Sequence, residues 1–137
     1  MIDKESINDI IGQIDQQDLL PQNMAELKPE THPEMYSLLK VLRNYQNTLL
    51  DIKQKDMSYW GLIELNCLED GCLFHKQRVI NLYKWQTISS AEAQYVLDNL
   101  YTIYRDANIH RHLSGKCSEQ WAKENIAFFR HATITEY

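Results

Sequence analysis

The chain has 137 residues, of which 44% are apolar and 24% charged, so it is one domain's worth of ordinary globular composition and not a disordered chain. Its net charge of −5 excludes the strongly basic make-up of a protein that coats nucleic-acid phosphates. No apolar run reaches the roughly 18–20 residues needed to cross a bilayer, and Asp3, Glu5 and Asp9 interrupt any signal-peptide core, so no membrane association is expected.

Cys67, Cys72 and Cys117 are an odd, sparse set, which fits reduced thiols and a cytoplasmic protein. The charge is uneven. Residues 1–34 carry eight acids against Lys4 and Lys28, a net of −6, and the remaining 103 residues net +1. Such a face keeps a protein soluble or meets a basic partner.

Ile7, Ile10, Ile11 and Ile14 recur at helical spacing over residues 3–19, with acids and glutamines opposite, and Pro21 ends that helix. Residues 21–33 hold all three prolines and read as a connector. Thr31 with Glu34 fits a capping box for a second helix running to about Lys55, whose broad face is Met35, Leu38, Leu39, Leu42, Tyr45, Leu49 and Ile52. The middle has two readings. Residues 58–70 form a helix stopped by Gly71 with another helix after it, or Asp70-Gly71 is the turn of a short β-hairpin within 62–76. Residues 76–86 are apolar enough to be central in the core.

Ser89 with Glu92 predicts a second capping box, opening a helix whose stripe is Val96, Leu100, Ile103, Ala107 and His110, broadened by Leu97, Tyr101 and Tyr104. Gly115 stops it. Ser118 caps a last helix with Trp121, Ile126, Phe128 and Phe129 as its apolar side. These elements predict a single all-α domain over 1–137, an irregular bundle of five or six helices.

Arg105 and His110 are the groups best suited to chemistry, because RNA cleavage needs a cation for the phosphate and a group titrating near neutrality. Their R-x4-H spacing resembles the signature of the HEPN families, small all-helical proteins of which many are ribonucleases. The resemblance implies that Arg105 holds the scissile phosphate, His110 transfers the proton and Asp106 orients them. On a straight helix, five residues turn about 140°, so the pair converges only at a bend or across a dimer. Tyr59-Trp60-Gly61 with Gly71, and Trp121-Ala-Lys-Glu-Asn125 with Phe128, resemble two motifs of the Bcl-2 family. Leu62 and Ile126-Ala127 depart from that pattern, and two helix-start tryptophans filling a core account for it.

Cys67, Cys72 and His75 lack zinc spacing, so no metal and no cofactor is expected. There is no Gly-rich phosphate loop, HExxH, nucleophile elbow or Asp-x-Asp pair, which favours a non-enzyme. The leading expectation is an acidic protein that acts by binding a protein partner, as an adaptor, chaperone, inhibitor or immunity-type blocker. Asp9, Asp15 and Asp18 would meet a basic patch, and Tyr101, Tyr104, Arg105 and Arg111 would form an aromatic–arginine patch. The alternative is an RNA-cleaving or RNA-binding protein built on Arg105 and His110, and a homodimer stays open.

Overall fold

A computed structural model describes residues 32–137. The helix expected over 3–19, most of the connector at 21–33, and Asp9, Asp15 and Asp18 lie outside the described residues. Within them the chain forms four helices and no strand: α1 Pro33–Lys53, α2 Tyr59–Lys84, α3 Ser90–Leu113 and α4 Glu119–Phe128, followed by a 3₁₀ turn at Ile134–Glu136.

Helix α1 starts at Pro33, where a missing N–H costs nothing. Its cap residue, His32, makes no side-chain cap bond. The expected capping box pairs Glu34 with Thr31, which lies outside the described residues. The Glu34 carboxylate accepts a 3.0 Å hydrogen bond from Arg78 Nη2 on α2. Met35, Leu38, Leu42, Leu49 and Ile52 are buried as the periodicity predicts, and Leu39 and Tyr45 pack at the margin.

Helix α2 corrects both readings of the middle. It runs unbroken for 26 residues, so there is no hairpin within 62–76 and no stop at Gly71. The buried residues Leu65, Leu68, Cys72 and Val79 keep helical steps straight through that glycine. Gly71 serves packing instead. A Cβ there would lie 2.3 Å from Tyr45 Oη and 2.8 Å from Tyr45 Cζ, so its absence lets the α1 ring sit against the α2 backbone. Just past the helix end at Lys84, Gln86 takes the left-handed region at φ +62°, and the Thr87 N–H donates to the Leu82 carbonyl at 2.9 Å.

The capping box of α3 forms as expected. Ser89 Oγ accepts from the Glu92 N–H at 3.1 Å, and Glu92 Oε1 accepts from the Ser89 N–H at 2.8 Å. Val96, Leu100, Ile103 and Ala107 are buried, and Gly115 at φ +75° follows the helix end. Helix α3 is central, touching α1, α2, α4 and the 3₁₀ turn. Ser118 caps α4 by accepting from the Trp121 N–H at 3.0 Å.

Helix α4 departs from expectation. Ala122 is its buried residue, while Phe128 is 69% exposed. Trp60 and Trp121 are 70% and 44% exposed, so neither tryptophan fills the core. Phe129, just past the helix, is fully buried, with ring centroids 5.6 Å from Tyr101 and 5.3 Å from Tyr104. Lys76 donates to the Phe129 carbonyl and lies over the Phe129 and Tyr137 rings. Ile134 is buried, and its N–H donates to Gln94 Oε1 at 2.7 Å. The C-terminal segment is thereby tied back onto α2 and α3. The count of four helices falls below the five or six expected partly because 58–86 is one helix, not two.

The packing at Gly71 is testable. In an open helix Gly→Ala gains about 1 kcal/mol from propensity. Here the clash with a half-buried ring outweighs it, and Gly71→Ala should lower stability by about 1–2 kcal/mol in urea unfolding. Tyr45→Phe, which removes the nearest atom, should restore part of that loss in the double variant. A neutral or stabilising Gly71→Ala would show that the ring moves freely.

Candidate binding groove

The most organised polar assembly lies where α2, α3 and α4 meet. Arg111, near the end of α3, is 4% exposed, and Glu69 of α2 is 6% exposed. The two form a bidentate pair, Nη1 to Oε2 at 2.7 Å and Nη2 to Oε1 at 2.5 Å. Arg111 also donates to Asn66 Oδ1 at 2.6 Å and Asn108 Oδ1 at 3.1 Å. Asn125 of α4 donates to the same Asn108 oxygen at 2.6 Å, and Asn108 donates to the Tyr104 carbonyl at 2.9 Å. The Trp121 ring covers the guanidinium, 5.0 Å from Cζ to centroid. Burial raises the Glu69 carboxyl above its usual range, while the Arg111 contact opposes that shift.

Above this pair the surface opens into a groove of about 460 Å³ lined by Leu62, Asn66, Arg111, Lys116, Cys117, Ser118 and Trp121. Tyr59, one turn before Leu62, stands 70% exposed beside it. The groove therefore combines an apolar wall, a half-exposed indole and a free-standing lysine over a buried charge pair. A larger recess, about 590 Å³, follows the α2–α3 turn at Tyr83, Gln86, Thr87 and Ser90 and gathers no comparable set of groups.

The structure separates the residues proposed from sequence. Tyr104 is 1% exposed and Arg111 lies under the groove, so neither belongs to an outward patch. Tyr101 and Arg105 stay together elsewhere: Arg105 Cζ is 6.0 Å from the Tyr101 ring, which stacks on His131 at 4.3 Å. His131 Nε2 lies 2.7 Å from Asp98 Oδ1.

Arg105 and His110 are not brought together within the chain. Helix α3 runs regularly past both, so they point about 140° apart. Arg105 pairs with Asp106 at 3.2 Å. His110 Nε2 is buried without a hydrogen-bond partner, and burial, with Lys53 nearby, holds its pKa below the usual value. Among the described residues no group of three or more His, Cys, Asp or Glu could hold a metal ion, and no helix is long and apolar enough to cross a membrane. Comparison of this chain with protein-family models, curated proteins and solved structures finds no match.

Sequence reasoning missed Glu69, Asn66, Leu62, Lys116, Tyr59 and the role of Trp121. One signal was present. Glu69 follows Leu68 on the helical face shared by Leu65 and Cys72, where a carboxylate demands a buried cation.

Arg111→Leu should lower unfolding stability by about 3–5 kcal/mol, because it leaves Glu69 buried and unpaired. Adding Glu69→Leu should recover most of that loss in the same denaturation assay. A double variant no better than the single would mean that the asparagines, not the charge pair, dominate.

A second prediction concerns pH. His75 and His110 both have pKa values lowered by burial, with Arg78 and Lys53 adding. Between the lowered native value and the unfolded value near 6.5, the unfolded chain binds more protons, so stability rises with pH through that window. The urea midpoint should fall on acidification below about pH 6.5. His75→Gln with His110→Gln should flatten the fall relative to the parent. Comparing the two proteins removes the opposing contribution of Glu69, which both share.

Proposed function

We propose that this protein acts by binding a protein partner through the groove above Arg111. The observation that carries this reading is the groove's composition. Leu62 and Trp121 line it with apolar surface, exposed Tyr59 stands one turn before Leu62, and Lys116 supplies a positive charge. A partner segment with an apolar side chain beside a carboxylate fits this chemistry. The four Nη hydrogens of Arg111 are taken by Glu69, Asn66 and Asn108, so its main part in this reading is to stiffen the floor.

The groove has no nucleophile–base pair. Its one thiol, Cys117, has its pKa raised by burial, the opposite of what an attacking thiolate needs. This supports a binding role over catalysis. The acidic residues Asp9, Asp15 and Asp18 would add long-range attraction for a basic region of the same partner.

The test is affinity capture from the native host with both protein and RNA identified in the eluate. Tyr59→Ala and Lys116→Glu, both at exposed positions, should each reduce recovery of a stoichiometric protein partner about tenfold or more without shifting thermal unfolding. Recovery of RNA instead, with cleavage lost in Arg105→Ala and His110→Ala, would replace this reading with the nuclease one.

A further inference from the structure

One exposed apolar face is left unpaired by the described helices, on the side of α2 away from the groove. Three contacts define which side of α2 meets α1. Glu64 pairs with Lys55 just past α1 at 2.7 Å, Gly71 lies under Tyr45, and Arg78 pairs with Glu34 at 3.0 Å. These positions are seven residues apart, so they form one nearly straight line along the helix. Trp60, Cys67 and Phe74 also recur every seven residues, each one turn before a member of that line. They therefore border the outer edge of the α1–α2 seam. Trp60 is 70% exposed, Phe74 is 67% exposed and Cys67 is exposed. Half-buried Val41 of α1 continues the surface across the seam. By contrast, the matching seam between α2 and α3 is filled by α4 and Phe129.

We propose that residues 3–19 of this chain dock in cis as a helix on this face, with Ile7, Ile10, Ile11 and Ile14 against Trp60, Cys67 and Phe74.

Length, connection and polarity support this occupant. Seventeen residues wound as a helix span about 25 Å, and Trp60 to Phe74 spans about 21 Å. The thirteen residues 20–32 can reach about 43 Å and lead into the N-terminus of α1, which Glu34 places beside Arg78 at the far end of the stripe. A helix entering there runs antiparallel to α1 and parallel to α2. If residue 3 lies abreast of Trp60, the shared rise per residue puts Ile10 abreast of Cys67 and Ile14 between Cys67 and Phe74. Glu5 and Asp9 fall on the side opposite the isoleucines and stay in water, while Asp3 and Asp18 border the apolar stripe at its two ends. The proposal is independent of the groove, which lies on the α2 side facing α3 and α4.

Cys67 lies on the covered face and provides the test. In the full chain carrying Cys117→Ser, the alkylation rate of Cys67 is measured with and without Ile7→Asp plus Ile14→Asp. Cys72, fully buried, must stay unreactive in both and reports that the bundle is intact. Docking in cis predicts that the isoleucine substitutions speed alkylation at least about tenfold, independent of protein concentration, and that Ile7→Leu plus Ile14→Leu does not. Equal rates overturn the proposal. Protection that strengthens with protein concentration also overturns it, because the face is then covered by a second copy. Groove variants such as Lys116→Glu leave this rate unchanged, so the two readings fail separately.

Discussion

The buried Arg111–Glu69 pair is the constraint around which the bundle closes. It joins α2 to α3 across 42 residues of sequence, and its satellites Asn66, Asn108 and Asn125 extend the connection to α4. Two charges out of water add little net stability over well-packed apolar residues, but they tolerate only one register of the helices that carry them. Sliding α2 by one turn would separate Glu69 from the guanidinium and leave both groups unpaired in a dry interior. The oil-like face of α3, with Val96, Leu100, Ile103 and Ala107, sets no such register by itself. The polar knot supplies specificity, and the apolar stripe supplies most of the driving force.

The same knot explains the shape of the surface above it. Trp121 cannot turn inward because the guanidinium and asparagines occupy that space, so it lies across them with an edge exposed. Helix α4 is only ten residues long and buries Ala122 alone along its length. It is held through Trp121 over Arg111, through Asn125 to Asn108 and, just past its end, through Phe129 against Tyr101 and Tyr104. The groove is the gap between the N-terminal end of this helix and the side of α2.

Much of this fold was legible in the sequence. The 3.6-residue period of α1 and α3, the Ser89–Glu92 box and the stop at Gly115 are local signals, and local physics decides them. The errors came where a distant partner decides. Gly71 read as a helix stop because nothing nearby shows that Tyr45, 26 positions earlier, needs its hydrogen-sized side chain. Arg111 read as part of an exposed aromatic–arginine patch because Glu69 is remote in sequence. Trp60 and Trp121 read as core fillers because indoles usually are buried, yet each starts a helix where packing ends. Of the candidate site, only Arg111 was found, and for the wrong reason. A groove is a property of three elements at once, and no single periodicity encodes it.

If the groove takes a partner segment as proposed, stability and recognition are physically linked there. Any segment that settles on Trp121 and Leu62 excludes water from the outer edge of the Arg111–Glu69 pair. Lower local dielectric strengthens the attraction between the two charges, while their hydrogen bonds keep the desolvation already suffered from growing much further. The indole lies over the buried cation and would be shared with any ligand above it, so ordering would pass in both directions. Substitutions inside the pair would then weaken binding without touching the ligand, by loosening the indole that forms the groove's wall. In the proposed role the rigid anchor lies beneath the recognition surface, and exposed Tyr59 and Lys116 would set which partner fits.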